Sequence, residues 1–172
     1  MHYTSIENIH KVIDPLFLDD LREEFEAIKA IKVSKVRNDK AEAFRVKLSK
    51  LTFFDPACGS GNFLTETYIS LRRIENRVIR ELYKGQSMLG VFINPVKVGI
   101  HQFYGIEIND FAVTVAKTAL WIAEAQMLAD FLSKISFFLS AEKFSPLSNI
   151  PGSKILLLVP PILIKFSVGS PK

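Results

Sequence analysis

The chain has 172 residues, 48% of them apolar, with 22 Lys and Arg against 18 Asp and Glu and a net charge of +4. This balance excludes a disordered chain and suits one domain of ordinary size with its own core. The small basic excess is compatible with a nucleic-acid partner and equally with an ordinary solvated surface. Cys58 is the only cysteine, so there is no intrachain disulfide framework, and a reducing compartment is expected. The chain start lacks a signal-peptide pattern. The longest apolar run, Ile155 to Ile164, is too short to span a bilayer and contains Pro160 and Pro161. A cytoplasmic location without membrane association follows as the expectation.

The first residues, Met1 to Ser5, are mostly polar. Asp14 as cap and Pro15 at the first helical position predict a helix from Asp14, with Leu18, Leu21, Phe25 and Ile28 on its buried face. Asn38 or Asp39 starts a second helix, with Ala41, Phe44 and Leu48 inward. The Lys and Arg residues between Lys29 and Lys50 fall mostly on the other faces, as a solvated surface or a DNA contact. Leu51 to Phe54 reads as a strand ending at Asp55, and Pro56 to Gly61 as a tight loop. A helix is expected over 62–84, with Leu64, Leu71, Ile74, Val78 and Leu82 roughly on one side.

A connector with Gly90, Pro95 and Gly99 leads to a second strand over 102–107. Asn109 or Asp110 caps a helix over 110–130. Val113, Ala116, Leu120, Ala123 and Met127 form its buried stripe, Ala112, Ala119 and Ala125 allow close approach to a sheet, and Trp121 reads as a helix–sheet packing residue. Ile135 to Leu139 and Ile155 to Val159 are further short strand candidates. After Glu142 the charged residues are all Lys, either a phosphate-facing tail or an accident of a short segment. Strand, helix, strand, helix implies an α/β fold with a parallel sheet and crossover helices, preceded by a helical segment. Three parts are expected: 1–50, an N-terminal helical segment; 51–130, the α/β core; and 131–172, a degenerate or truncated continuation.

The most specific string is Asp55-Pro56-Ala57-Cys58-Gly59-Ser60-Gly61-Asn62-Phe63-Leu64, between the first strand and its helix. Gly59 and Gly61 remove side chains where a backbone must approach a ligand, and the N–H groups of the following helix start can meet a negative group. Asp55 at the strand end can accept from a ligand ammonium or hold the loop through backbone N–H groups. Glu107, at the end of the second strand, can accept from both hydroxyls of a ribose. It lies much farther on than the roughly 20 residues at which a dinucleotide unit places its acid. Ile108 and Phe111 are candidates for packing beside an adenine ring or within the core. A nucleophilic Cys58 needs a base partner, and His2, His10 and His101 are not placed near it by sequence, so a small buried spacer is the better reading. No metal-ligand spacing occurs.

Asp55 to Leu64 resembles the S-adenosylmethionine motif of adenine-specific (N6) DNA methyltransferases, in particular the branch found in large single-polypeptide restriction–modification enzymes. Met1-His2-Tyr3-Thr4-Ser5 is similar to that family's motif ahead of the glycine loop, which closes over the methionine end of the cofactor. Tyr104-Gly105-Ile106-Glu107-Ile108-Asn109 is similar to the motif whose acid holds the ribose, and Asp110 to Glu124 to the helix that follows. The resemblance implies a partial doubly wound, Rossmann-like methyltransferase fold with S-adenosylmethionine as cofactor. Its implied cofactor-binding residues are Tyr3, Thr4, Asp55, Pro56, Ala57, Cys58, Gly59, Gly61, Glu107 and Ile108. DNA is the implied partner of the intact family enzyme.

The family's catalytic tetrad is Asn or Asp, then Pro-Pro, then an aromatic residue. This chain has only Val159-Pro160-Pro161-Ile162, in which valine offers the target amine no acceptor and isoleucine offers no aromatic face. No catalytic residue is therefore assigned, and no DNA methylation is expected of this chain alone. The expectation is a fragment, either a genuine short protein or the product of a disrupted reading frame. The alternatives are a non-catalytic cofactor-binding or scaffold subunit completed by a partner protein, and a methyltransferase acting on something other than DNA.

Overall fold

The structure is a computed structural model that describes residues 4–83 and 96–141. Four helical stretches precede the first strand: α1 (Ile6–Ile13), a π-helical turn (Asp14–Leu18), α2 (Asp19–Lys29) and α3 (Ser34–Lys50). Then come β1 (Phe53–Asp55), α4 (Asn62–Leu82), a 3-10 turn (Ile100–Gln102), β2 (Phe103–Gly105) and α5 (Asp110–Ala141).

The helix expected from Asp14 begins earlier, at Ile6. Ser5 caps it, its hydroxyl accepting from the Asn8 N–H at 3.4 Å. Asp14 and Pro15 therefore lie within the helical run. Proline has no N–H and its ring crowds the preceding turn, and here the backbone widens into a π turn that carries the helix past it. α3 likewise starts at Ser34, ahead of Asn38, and buries Ala41, Phe44 and Leu48 as expected.

β1 and β2 pair in parallel, with Phe53 opposite Phe103, Phe54 opposite Tyr104, and Asp55 opposite Gly105. One face of this two-stranded sheet is aromatic and covered. Phe53 stacks on Phe103 at 5.1 Å, Phe17 of the π turn meets Phe53 at 5.0 Å, and Tyr68 of α4 meets the edge of Phe103 at 5.6 Å. The opposite face carries Phe54, 62% exposed, and Tyr104, 50% exposed.

α5 packs chiefly along α4 and not over that second face. The expected doubly wound architecture is thus present in part: two parallel strands joined through a helix, in a mainly helical set of described residues. α5 also continues to Ala141, so the strand expected at Ile135 to Leu139 is helical, and Trp121 is half exposed on α5 instead of packing on the sheet. The strand candidate at Ile155 to Val159 lies outside the described residues. Among the described residues no helix is long and apolar enough to cross a membrane.

Two buried polar side chains bring β2 to β1. Glu75 of α4, fully buried, accepts from the backbone N–H of Lys97 at 2.7 Å and of Val98 at 3.2 Å. It is also paired with Arg72, and Arg45 of α3 lies 3.7 Å away. Gln102 donates to the carbonyls of Leu48 (2.9 Å) and Leu51 (2.7 Å) and accepts from Gly99 N–H (2.9 Å). A buried carboxylate survives desolvation only when paired and hydrogen-bonded, and Glu75 meets that condition by capturing the segment that leads into β2. Replacing Glu75 by Ala removes the buried carboxylate paired with Arg72, with an expected loss of about 3–5 kcal/mol in stability. Urea denaturation of the purified chain measures this, and a loss below about 1 kcal/mol contradicts the buried-hub account.

Candidate functional site

Parallel pairing puts the C-terminal ends of β1 and β2 at the same edge. The loop after β1 and the turn after β2 meet there and are bonded to each other. Ile106 N–H donates to the Asp55 carbonyl at 3.0 Å, and Cys58 N–H donates to the Ile106 carbonyl at 3.0 Å. Asp55 turns its own loop, its carboxylate accepting from Ala57 N–H at 3.0 Å. This matches the loop-holding alternative for Asp55.

Glu107 joins the two segments. One carboxylate oxygen accepts from Gly59 N–H at 3.0 Å and the other from Asn109 N–H at 2.8 Å. An ionised carboxylate has about four acceptor positions, so two backbone bonds leave capacity for a ligand's donors. The acid read from the sequence therefore also braces the glycine loop, a role that spacing alone did not reveal. Asn109 caps α5, accepting from Phe111 N–H (3.0 Å) and Ala112 N–H (3.2 Å).

The two loop glycines differ. Both have positive φ, +53° at Gly59 and +77° at Gly61. A side chain at Gly61 would begin 2.8 Å from Ala116 Cβ on α5, whereas one at Gly59 would enter open space. Gly61 thus serves close packing as well as the left-handed turn. Gly59 leaves room in front of the loop. Gly61 N–H bonds the Cys58 carbonyl at 2.7 Å, so both glycine N–H groups are engaged within the protein. The donors available to an anion are those of the α4 first turn, which has no side-chain cap.

Cys58 is buried and its sulfur lies where a Gly105 side chain would stand, 2.6 Å from that ideal Cβ. Burial first, then the Asp55 and Glu107 carboxylates, push the thiol above its ordinary pKa, the opposite of what a nucleophile needs. Pro56 and Ala57 are exposed on the loop. Ile108 is 97% exposed and Phe111 70% exposed, which removes the core-packing alternative and leaves two apolar side chains on the rim. Thr4 is partly buried just ahead of the Ser5 cap, and Tyr3 lies outside the described residues. Among the described residues no group of three His, Cys, Asp or Glu side chains could hold a metal ion.

Comparison with known proteins bears on this arrangement. A family model described as "MmeI, DNA-methyltransferase domain" matches residues 31–151. "DNA methyltransferase A" of Bacillus subtilis (strain 168) is 48% identical over 137 residues, which is 78% of this chain and 14% of that protein. A putative type II restriction enzyme and methyltransferase of Methanocaldococcus jannaschii is 33% identical over 92 residues, 52% of this chain and 8% of that protein. Among solved structures, the type IIL restriction-modification enzyme MmeI in complex with DNA superposes with a TM-score of 0.70 at 45% identity, over 77% of this chain and 17% of its own. The chain thus spans less than a fifth of the length of each.

The glycine geometry separates two substitutions. Gly61→Ala combines a left-handed backbone with a clash against Ala116 and is expected to cost roughly 2–4 kcal/mol. Gly59→Ala carries the backbone strain alone, about 1–2 kcal/mol. Denaturant unfolding of both variants gives the ranking, and an equal or reversed order contradicts the packing assigned to Gly61.

Proposed function

The chain belongs to the family of MmeI DNA-methyltransferase domains, and from that premise we propose that it is the S-adenosylmethionine-binding part of a site-specific DNA adenine-N6 methyltransferase within a restriction–modification enzyme. The observation that carries this reading is the loop itself. Gly59 faces open space while its N–H is held by Glu107, so an acid and a side-chain-free backbone border one opening.

The residues present fit S-adenosylmethionine. The first turn of α4 supplies N–H donors for the methionine carboxylate. Asp55 lies beside them as an acceptor for the ammonium, since its Ala57 bond leaves acceptor capacity. Pro56, Ala57 and Cys58 give the loop its course past Gly59 and Gly61. Glu107 takes the ribose hydroxyls with its remaining acceptor positions. Ile108, with Phe111, supplies an apolar surface for adenine, and Tyr3 and Thr4 cover the methionine end. When bound, the cofactor supplies an electrophilic methyl group. The protein's part is to orient it toward the adenine amine of DNA, the partner of the intact enzyme.

The Asn/Asp-Pro-Pro-aromatic tetrad does not occur in this chain, whose only adjacent prolines are flanked by Val159 and Ile162. We therefore assign no catalytic residue and infer that the chain alone transfers no methyl group to DNA. Binding of a cofactor and stabilisation of a transition state are separate contributions, and the first does not supply the second. Family membership disfavours a methyltransferase acting on something other than DNA. A second reading, a cofactor-binding scaffold completed by another protein subunit, is favoured by the apolar sheet face of Phe54 and Tyr104 that the described residues leave uncovered.

Calorimetric titration with S-adenosylmethionine tests the binding reading. Glu107→Ala is expected to weaken binding by about 1–3 kcal/mol, the scale of hydrogen bonds to a charged group. Unchanged affinity removes Glu107 from the site, and no binding by the folded wild-type chain removes the reading. A second measurement uses labelled cofactor with duplex and single-stranded DNA of mixed sequence. No transfer to adenine N6 is expected. Stoichiometric transfer that is lost when Gly59 is made bulky would show that the chain has an amine acceptor not identified above.

A further inference from the structure

His10 on α1 is held between two carboxylates. Its Nδ1 lies 2.8 Å from Asp14 Oδ1, and its Nε2 lies 3.1 Å from Glu66 Oε1 on α4. Ionised carboxylates only accept hydrogen bonds, and a neutral imidazole has a single N–H. Both contacts are satisfied together when the ring is the imidazolium. The outer flanks are basic: Arg22 of α2 lies 3.2 Å from Asp14, and Arg73 of α4 lies 3.7 Å from Glu66. Arg22 favours the ionised form of Asp14, which in turn favours the charged ring.

The two ends of this bridge are informative. Glu66 is buried on α4 little more than a turn after Gly61, where the glycine loop ends. Asp14 opens the π turn, an irregularity in an otherwise continuous helical run. α1 itself follows directly on Thr4 and Ser5. Ile9 and Ile13 anchor α1 in the core, so its docking does not depend on His10 alone. The polar bridge joins α1 to the start of α4 beside that apolar anchor.

We propose that protonated His10 is a positioning group: by bridging Asp14 and Glu66 it sets α1, and with it the Thr4–Ser5 segment, against the start of α4, and so couples cofactor affinity to pH through a residue that does not touch the cofactor. This rests on the S-adenosylmethionine reading above. The Asp14 hydrogen bond, opposed by partial burial and reinforced by Glu66, holds the His10 pKa above its ordinary 6.5. Burial works against the Asp14 carboxylate, but the His10 and Arg22 hydrogen bonds outweigh it and keep Asp14 below its ordinary 3.8. For a raised histidine, the contribution is complete below about 6.5 and is lost as pH rises through the raised folded value. For the lowered Asp14 it is present above about 3.8 and is lost as pH falls through the lowered value. The bridge is thus strongest in mildly acidic solution and weakens on the alkaline side.

Two measurements on the full chain test the proposal. The first follows the His10 ring protons by NMR without cofactor. Their titration is expected above 6.5, moving down in Glu66→Gln and in Asp14→Asn. The second is S-adenosylmethionine affinity by calorimetry from about pH 6 to about pH 9, for the wild type and for His10→Gln, which keeps hydrogen-bonding capacity but does not titrate. The wild-type affinity, taken relative to His10→Gln at each pH, is expected to fall on the order of threefold to tenfold across that range, the scale of partly losing one charged hydrogen bond. A His10 titration at its ordinary value overturns the bridge. A raised titration with parallel affinity profiles overturns the positioning role and leaves the cofactor reading standing. A folded chain that binds no cofactor at any pH overturns both.

Discussion

Pairing between β1 and β2 does not stop at the strand ends. The Asp55 carbonyl accepts from Ile106, the Ile106 carbonyl accepts from Cys58, and the Glu107 carboxylate accepts from Gly59. This run of bonds converts a flexible small-residue loop into a defined surface. Its requirements reach into the surrounding residues. Gly105 must lack a side chain because the Cys58 sulfur occupies that place, and Gly61 must lack one because Ala116 on α5 does. The loop, the second strand and the last helix are therefore mutually constrained at one edge.

The strands themselves are short, and a two-stranded parallel sheet has little stability of its own. Its support comes from the helices. The Phe17, Phe53, Phe103 and Tyr68 rings cover one face, while Glu75 and Gln102 fasten the incoming segment through backbone hydrogen bonds. Most of these contacts join residues distant in the chain. The N-terminal helices thus help to position the sheet in addition to preceding it, and the His10 bridge to Glu66 belongs to the same pattern of α4 acting as the common support.

The apolar residues left at the surface fall into two groups. Ile108 and Phe111 stand exposed where β2 turns into α5, just after Glu107, whereas Phe54 and Tyr104 lie on the sheet face away from the aromatic layer. The second group is left uncovered by the described residues. Asp55, Glu107 and the two loop glycines are gathered at one edge by backbone hydrogen bonds between the loop after β1 and the turn after β2.

Sequence by itself determined the local order. The run from Asp55 to Leu64, with its paired glycines, has few backbone solutions, and the spacing of Leu64, Leu71, Ile74 and Val78 admits only a helix with one buried side. Parallel strands near Phe53 and Phe103 follow from the helix between them, which must carry the chain back to the same end. Helix starts are less legible: Ser5, not Asp14, caps the first helix, and a proline at a first helical position and a proline tolerated in a π turn look alike in one dimension. The helical reach of α5 through Ile135 to Leu139 was also hidden, since a short apolar run suits strand and helix equally. Tertiary structure alone decided that Glu107 bonds Gly59, that Gly59 faces open space while Gly61 faces Ala116, and that His10 meets Glu66. Those are distances between segments far apart in the chain, set by how helices and strands pack, and residue spacing along the backbone carries no measure of them.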